Sequence, residues 1–93
     1  MNSLGTALKK FRERSGKSQR QAAEELGITH ELLCFWETGK KKVAVKWFKS
    51  IVTLYALADE EKNKLFDLFC EMEMNILLHR FKKFVSELHQ FSK

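Results

Sequence analysis

The side chains of this 93-residue chain that could do chemistry are concentrated in its first half. Lys40, Lys41 and Lys42 form an unbroken cationic run, with Lys46 a few residues on. Such a cluster attracts phosphate groups whatever sequence they belong to. His30 and Cys34 stand four apart, a spacing that lets two side chains on one helix approach the same metal ion. Two ligands alone do not make a site. Cys70, His79 and His89 supply no matching spacing, so the reading is a surface histidine, a half-exposed thiol and no metal. There is no glycine-rich phosphate loop, no nucleophile elbow and no pair of carboxylates with an evident base. The chain therefore reads as a non-enzyme that needs no cofactor.

The charge is unevenly placed. Residues 1–58 carry eleven Lys/Arg against five Asp/Glu, and residues 59–93 carry six against seven, for +5 in all. A basic first half suits a nucleic-acid partner, although the surplus alone would equally describe a solvated surface. With 44% hydrophobic residues and no proline, the composition favours uninterrupted helices and an all-α fold. The length suits one small domain with a modest core, and small helical proteins often gain stability by oligomerising. Two cysteines do not make a disulfide framework. No signal peptide is evident, and no apolar run approaches the ~20 residues that cross a bilayer. A reducing cytoplasm is the expected compartment.

Four elements must position the basic cluster. A first helix is expected over residues 3–15, with Leu4, Ala7, Leu8 and Phe11 as its apolar stripe and Ser15-Gly16 as its stop. Ser18 is an N-cap for a second helix over 19–26, where Ala22, Ala23 and Leu26 face inward and Gly27 ends the run. Thr29 caps a third helix over 30–38, with Leu33 and Trp36 inward and Gly39 closing it. Two short helices joined by a tight glycine turn make a helix-turn-helix, whose second helix can enter the DNA major groove. A fourth helix is expected over 45–58, with Val45, Phe48, Ile51, Val52 and Tyr55 inward and Lys46 and Lys49 outward.

The stretch Ser18-Gln19, Ala23, Leu26-Gly27-Ile28, Thr29, Leu33 and Glu37-Thr38-Gly39 resembles the lambda-repressor/Cro-like helix-turn-helix family, also called the XRE family. Leu8-Lys9-Lys10-Phe11-Arg12-Glu13-Arg14 looks like that family's first helix, so the resemblance covers roughly residues 4–57. It implies a DNA-binding domain in which Arg12 pairs with Glu37 as a scaffold feature. It also implies that Gln19 bonds a DNA phosphate, and that Lys40, Lys41, Lys42 and Lys46 clamp the backbone just after the third helix. Arg20, beside Gln19, can reach backbone as well. Many family members carry a proline in the loop before the fourth helix, where this chain has Val43-Ala44-Val45.

Base reading would fall to the outer face of the third helix, to His30, Glu31, Leu32 and Phe35 with Cys34 between them. The face lacks Gln, Asn, Arg and Lys, the side chains that bond purine edges in pairs. Three readings compete for Leu32 and Phe35: contact with thymine methyl groups, a patch for a protein partner, or partial burial. The scarcity of strong base readers implies modest direct specificity, with DNA shape contributing.

Asp59 is an N-cap candidate, followed by Glu60 and Glu61, and nothing breaks a helix from there to Phe91. The apolar stripe of this segment is too long for the domain to cover, so a second copy is the simplest partner. The expected organisation is a lambda-repressor-like domain over 1–58 and a dimerisation segment over 59–93. That segment is one helix, or two with a bend near Asn75, and its interface is Leu65, Phe69, Met72, Ile76, Phe84 and Leu88. Folding back onto the first domain is the competing arrangement. The expected function is a DNA-binding transcription regulator, a repressor by type, whose homodimer reads an inverted repeat in double-stranded DNA. The alternative is a protein-interaction module, as an antitoxin or anti-activator is, using Leu32/Phe35 or the carboxyl-terminal helices.

Overall fold

A computed structural model describes residues 3–91, and all of its regular structure is helical. The helices are α1 (Ser3–Arg14), α2 (Gln19–Leu26), α3 (His30–Thr38), α4 (Phe48–Leu54) and α5 (Asp59–Phe91), with a 3-10 turn at Val45–Trp47 before α4. Local chemistry sets the bounds of the central pair. The Ser18 hydroxyl accepts from the Gln21 N–H at 3.1 Å and the Thr29 hydroxyl accepts from the Leu32 N–H at 3.0 Å, each satisfying a donor that the helix start leaves open. At the end of α2, Gly27 takes φ 76°. Its N–H reaches the Glu24 carbonyl at 3.1 Å, and the Ile28 N–H reaches that of Ala23 at 3.0 Å. This pairing turns the chain sharply, and a residue without a Cβ makes it at low cost.

The core is shared by every helix. Its largest fully buried side chains are Leu8 of α1, Leu33 of α3, Ile51 of α4, and Leu65 and Phe69 of α5. Ala22 and Ala23 of α2 are buried too, and their small size lets α2 lie close to α3. The packed core therefore continues past residue 58 into α5. Leu65 and Phe69, expected at an interface between copies, are 0% and 1% exposed and belong to the chain's own core, because α5 runs back against α1 and α4. Met72 is half-buried against the same core and Ile76 is half-buried, whereas Phe84 and Leu88 are exposed.

The fourth helix is shorter than its sequence implies. It stops at Leu54, and Ala56 takes φ 49°, the left-handed region that residues with a Cβ avoid. The Leu57 N–H bonds the Val52 carbonyl at 3.1 Å, the Leu57 side chain is drawn into the core, and Arg14 donates to the Tyr55 carbonyl at 3.0 Å. One local closing bond and two tertiary ties thus end a helix that local propensity would continue. Val45, expected inward, is exposed because the 3-10 turn rotates it outward, and Val43 fills the core instead. At the start of α5 the N-cap position falls to Ala58 and not to Asp59, and the Glu61 carboxylate reaches back to accept from the Ala58 N–H at 3.0 Å. α5 then runs unbroken through Asn75 for 33 residues, about 50 Å at the helical rise of ~1.5 Å, in a molecule 58 Å long.

Candidate nucleic-acid interface

Four side chains link the domain interior to the start of α3. The buried Glu37 carboxylate accepts from Arg12 Nε at 2.8 Å and Nη2 at 3.1 Å, a two-pronged pair between α1 and α3. Arg12 also donates to the Lys17 carbonyl at 3.0 Å, and its hydrogen bond to Glu37 holds the guanidinium above its ordinary pKa. Glu37 Oε1 accepts a further bond, at 3.0 Å, from the Gln19 amide nitrogen. An ionised carboxylate only accepts, so the nitrogen of the Gln19 amide must face it. The amide oxygen then faces His30, whose Nε2 lies 3.0 Å away and must donate. This chain fixes the histidine tautomer. Neutral His30 keeps a hydrogen on Nε2 and leaves Nδ1 as an acceptor.

Gln19 therefore has work inside the domain, as the link between Glu37 and His30. One amide N–H is held by Glu37. Arg20 next to it is exposed.

α3 divides cleanly between inside and outside. Leu33, Trp36 and Glu37 are buried. Leu32, four residues before Trp36, is half-buried and packs on the core. Of the three readings open for the pair, partial burial holds for Leu32, since helical spacing places it on the side of Trp36. Phe35 goes the other way and lies half-exposed on the outer face with Glu31, Cys34 and Thr38. The Gly39 turn folds the following lysines over it. The Lys40 N–H bonds the Phe35 carbonyl at 2.9 Å, and Nζ of Lys40 and Lys41 sit 5.9 and 5.4 Å from the Phe35 ring centre. Both ammonium groups are held near the ring face, an attractive arrangement for cations.

The lysines are not equivalent. Lys40 and Lys41 are exposed beside α3, but Lys42 turns to α5 and pairs with Glu73 at 2.7 Å. Lys46 is exposed and lies 5.8 Å over the Trp47 ring. The outer surface thus presents a short helix face with an acceptor at His30, a carboxylate at Glu31 and a ring at Phe35, with Lys40 and Lys41 beside it. Among the described residues no three His, Cys, Asp or Glu side chains are grouped to hold a metal, and no helix is long and apolar enough to cross a membrane.

Sequence reasoning did not foresee the bond between Gln19 and His30 or the pairing of Lys42 with Glu73. The first had a signal in the placement of two polar side chains at the starts of adjacent helices. The second, separated in the chain by the whole of α4 and nearly half of α5, had none.

A surface helix in this frame, second of a glycine-turned pair and flanked by cations, defines a class. The family model described as a helix-turn-helix domain matches residues 3–65, well over half of the chain. The chain belongs to the helix-turn-helix domain family, consistent with the lambda-repressor-like character of α1 to α4, and membership suggests a DNA-binding regulator. Comparison with curated proteins and with solved structures gives no significant match.

Proposed function

We propose that this chain is a sequence-specific transcription regulator of the XRE/Cro type. It binds an inverted-repeat operator as a homodimer with α3 in the major groove, and occupying that operator represses. The observation that carries the reading is the outer face of α3, where His30 and Glu31 are exposed and Lys40 and Lys41 lie over the half-exposed Phe35 ring, with the exposed Arg20 in the preceding helix. Phosphate contacts from these cations set the register, and His30, Glu31 and Phe35 meet the base edges. His30 Nδ1, as an acceptor, suits the exocyclic amino groups of cytosine or adenine. Phe35 suits a thymine methyl group. The free thiols Cys34 and Cys70 fit a reducing cytoplasm.

A salt titration of binding to duplexes selected from a random pool tests this. Log K falls steeply against log salt, and Lys40→Ala or Lys41→Ala each lowers the slope by about 1. Lys42→Ala changes it less, because Glu73 already neutralises that charge. Absence of duplex binding at low salt overturns the reading. The half-exposed Phe35 on a face poor in purine readers favours a second one, a protein-interaction module like an antitoxin or anti-activator, and that result would support it.

A further inference from the structure

α5 carries two apolar stripes, and only one of them is used. The first, through Leu65, Phe69, Met72 and Ile76, faces the domain and ends where α5 leaves it. The second begins on the opposite side and continues along the free half. Met74, Leu77, Phe81, Phe84 and Leu88 follow one another at steps of three and four, and each is 49–61% exposed. That alternation is the seam of a helix that packs lengthwise on another helix. With Leu78 beside it, the seam offers six half-exposed apolar side chains. At roughly 100 Å² each they withdraw about 600 Å² per copy, or about 1,200 Å² in a pair, the lower edge of stable interfaces.

The flanks of the seam say what covers it. Along one edge run Glu73, Arg80 and Glu87, and along the other Leu78 and Val85. Two such helices lying parallel would set the charged edge of one against the apolar edge of the other. Lying antiparallel, they set charged edge on charged edge and apolar on apolar. Glu73 is occupied by Lys42, so Glu87 is the carboxylate left for Arg80 of the other copy.

Resting on the dimeric reading above, we propose that the free half of α5 binds the same half of a second copy of this chain, antiparallel. Arg80 faces Glu87 of the second copy twice over, Phe81 faces Phe84, and Leu77 faces Leu88. The partner is self-complementary in shape and charge, and the two helix-turn-helix units lie at opposite ends of the pair.

Sedimentation equilibrium of the intact chain is expected to show a dimer. Phe81→Glu converts it to a folded monomer, since the exposed Phe81 contributes nothing to the domain core. Arg80→Glu or Glu87→Arg alone weakens the dimer about tenfold, and the two together restore it. Spin labels at the exposed Asn63, in a Cys34→Ser/Cys70→Ser background, lie about 60 Å apart in the antiparallel pair and within about 20 Å in a parallel one. A monomer at the highest soluble concentration, a short label distance, or a double variant no better than the singles overturns the proposal. The salt slope of DNA binding by the Phe81→Glu monomer is read separately, so the DNA-binding reading stands or falls on its own.

Discussion

The two halves of α5 repeat the same apolar spacing, the first on an acidic segment and the second on a basic one, yet they live in different environments. Leu65 and Phe69 are among the most buried side chains of the molecule, while Phe81 and Phe84 are 61% and 55% exposed. The difference lies in what the rest of the chain brings within reach. α1 and α4 pack against α5 around Leu65, Phe69 and Met72, and the Lys42–Glu73 pair and the half-buried Ile76 lie towards the end of that contact. Beyond it no other element of the described chain is long enough to follow. Helical spacing thus states that a face must be buried, and the reach of neighbouring elements decides whether the cover is internal.

The largest effect that tests this contrast comes from truncating one aromatic in each half. Phe69→Ala removes a fully buried ring that packs on Phe48 and costs about 3–5 kcal/mol. Phe81→Ala, measured below the concentration at which copies associate, stays within about 0.5 kcal/mol of the parent. Urea unfolding of both variants at low concentration gives the comparison. Equal losses would mean that the free half is packed in the monomer, and the contrast would break.

Much of the architecture was legible because the sequence marks it with special residues. Ser18, Gly27, Thr29 and Gly39 bracket α2 and α3 at their observed ends, since capping hydroxyls and left-handed glycines act locally. The stop of α4 was not legible. Alanine is a strong helix former, and nothing local at Ala56 announces a turn imposed by Leu57 and Arg14 from outside. The role of Leu65 and Phe69 was not legible either, for another reason. α5 has apolar residues on two faces, and spacing does not say which face meets the domain. At the candidate site, the sequence identified the outward His30 and Phe35 but could not separate Phe35 from Leu32, because Leu32 has neighbours at helical distance on both sides.

A pH titration sharpens the contrast from the closed side. Burial, helped by the nearby Glu37 charge, pushes the Tyr55 hydroxyl up to about 12, and that hydroxyl has no hydrogen-bond partner among the described residues. A pKa raised by folding means that the tyrosine contributes fully below its unfolded value of about 10, and the contribution is lost as pH rises towards 12. Tyr55 is the chain's sole tyrosine and lies in the closed part, so phenolate absorbance reports opening of the domain and not of the free helix. Tyr55→Phe is expected to flatten the loss of stability between pH 10 and 12. An unchanged alkaline slope in the variant would assign the loss to other groups.

The smallest effect concerns the turn that aims α5 at the domain in the first place. Ala56 adopts φ 49° at the position where α1, α2 and α3 are each followed by a glycine at positive φ. A Cβ in that region costs about 1–2 kcal/mol. Ala56→Gly removes the strain but adds freedom to the unfolded chain, about 0.4–1 kcal/mol in the opposite direction. The net expectation is a gain of about 0.5–1 kcal/mol, seen as a higher urea midpoint at unchanged slope. Gly27→Ala is the mirror test. Nothing lies within 4 Å of where its Cβ would stand, so any loss there is conformational strain at φ 76° and not a clash. If both substitutions shift the midpoint by similar amounts in opposite directions, the bend into α5 is held by tertiary contacts against local preference. If Ala56→Gly instead lowers stability, the alanine methyl group contributes packing that outweighs its strain, and the closed half of α5 owes more to this corner than its backbone alone suggests.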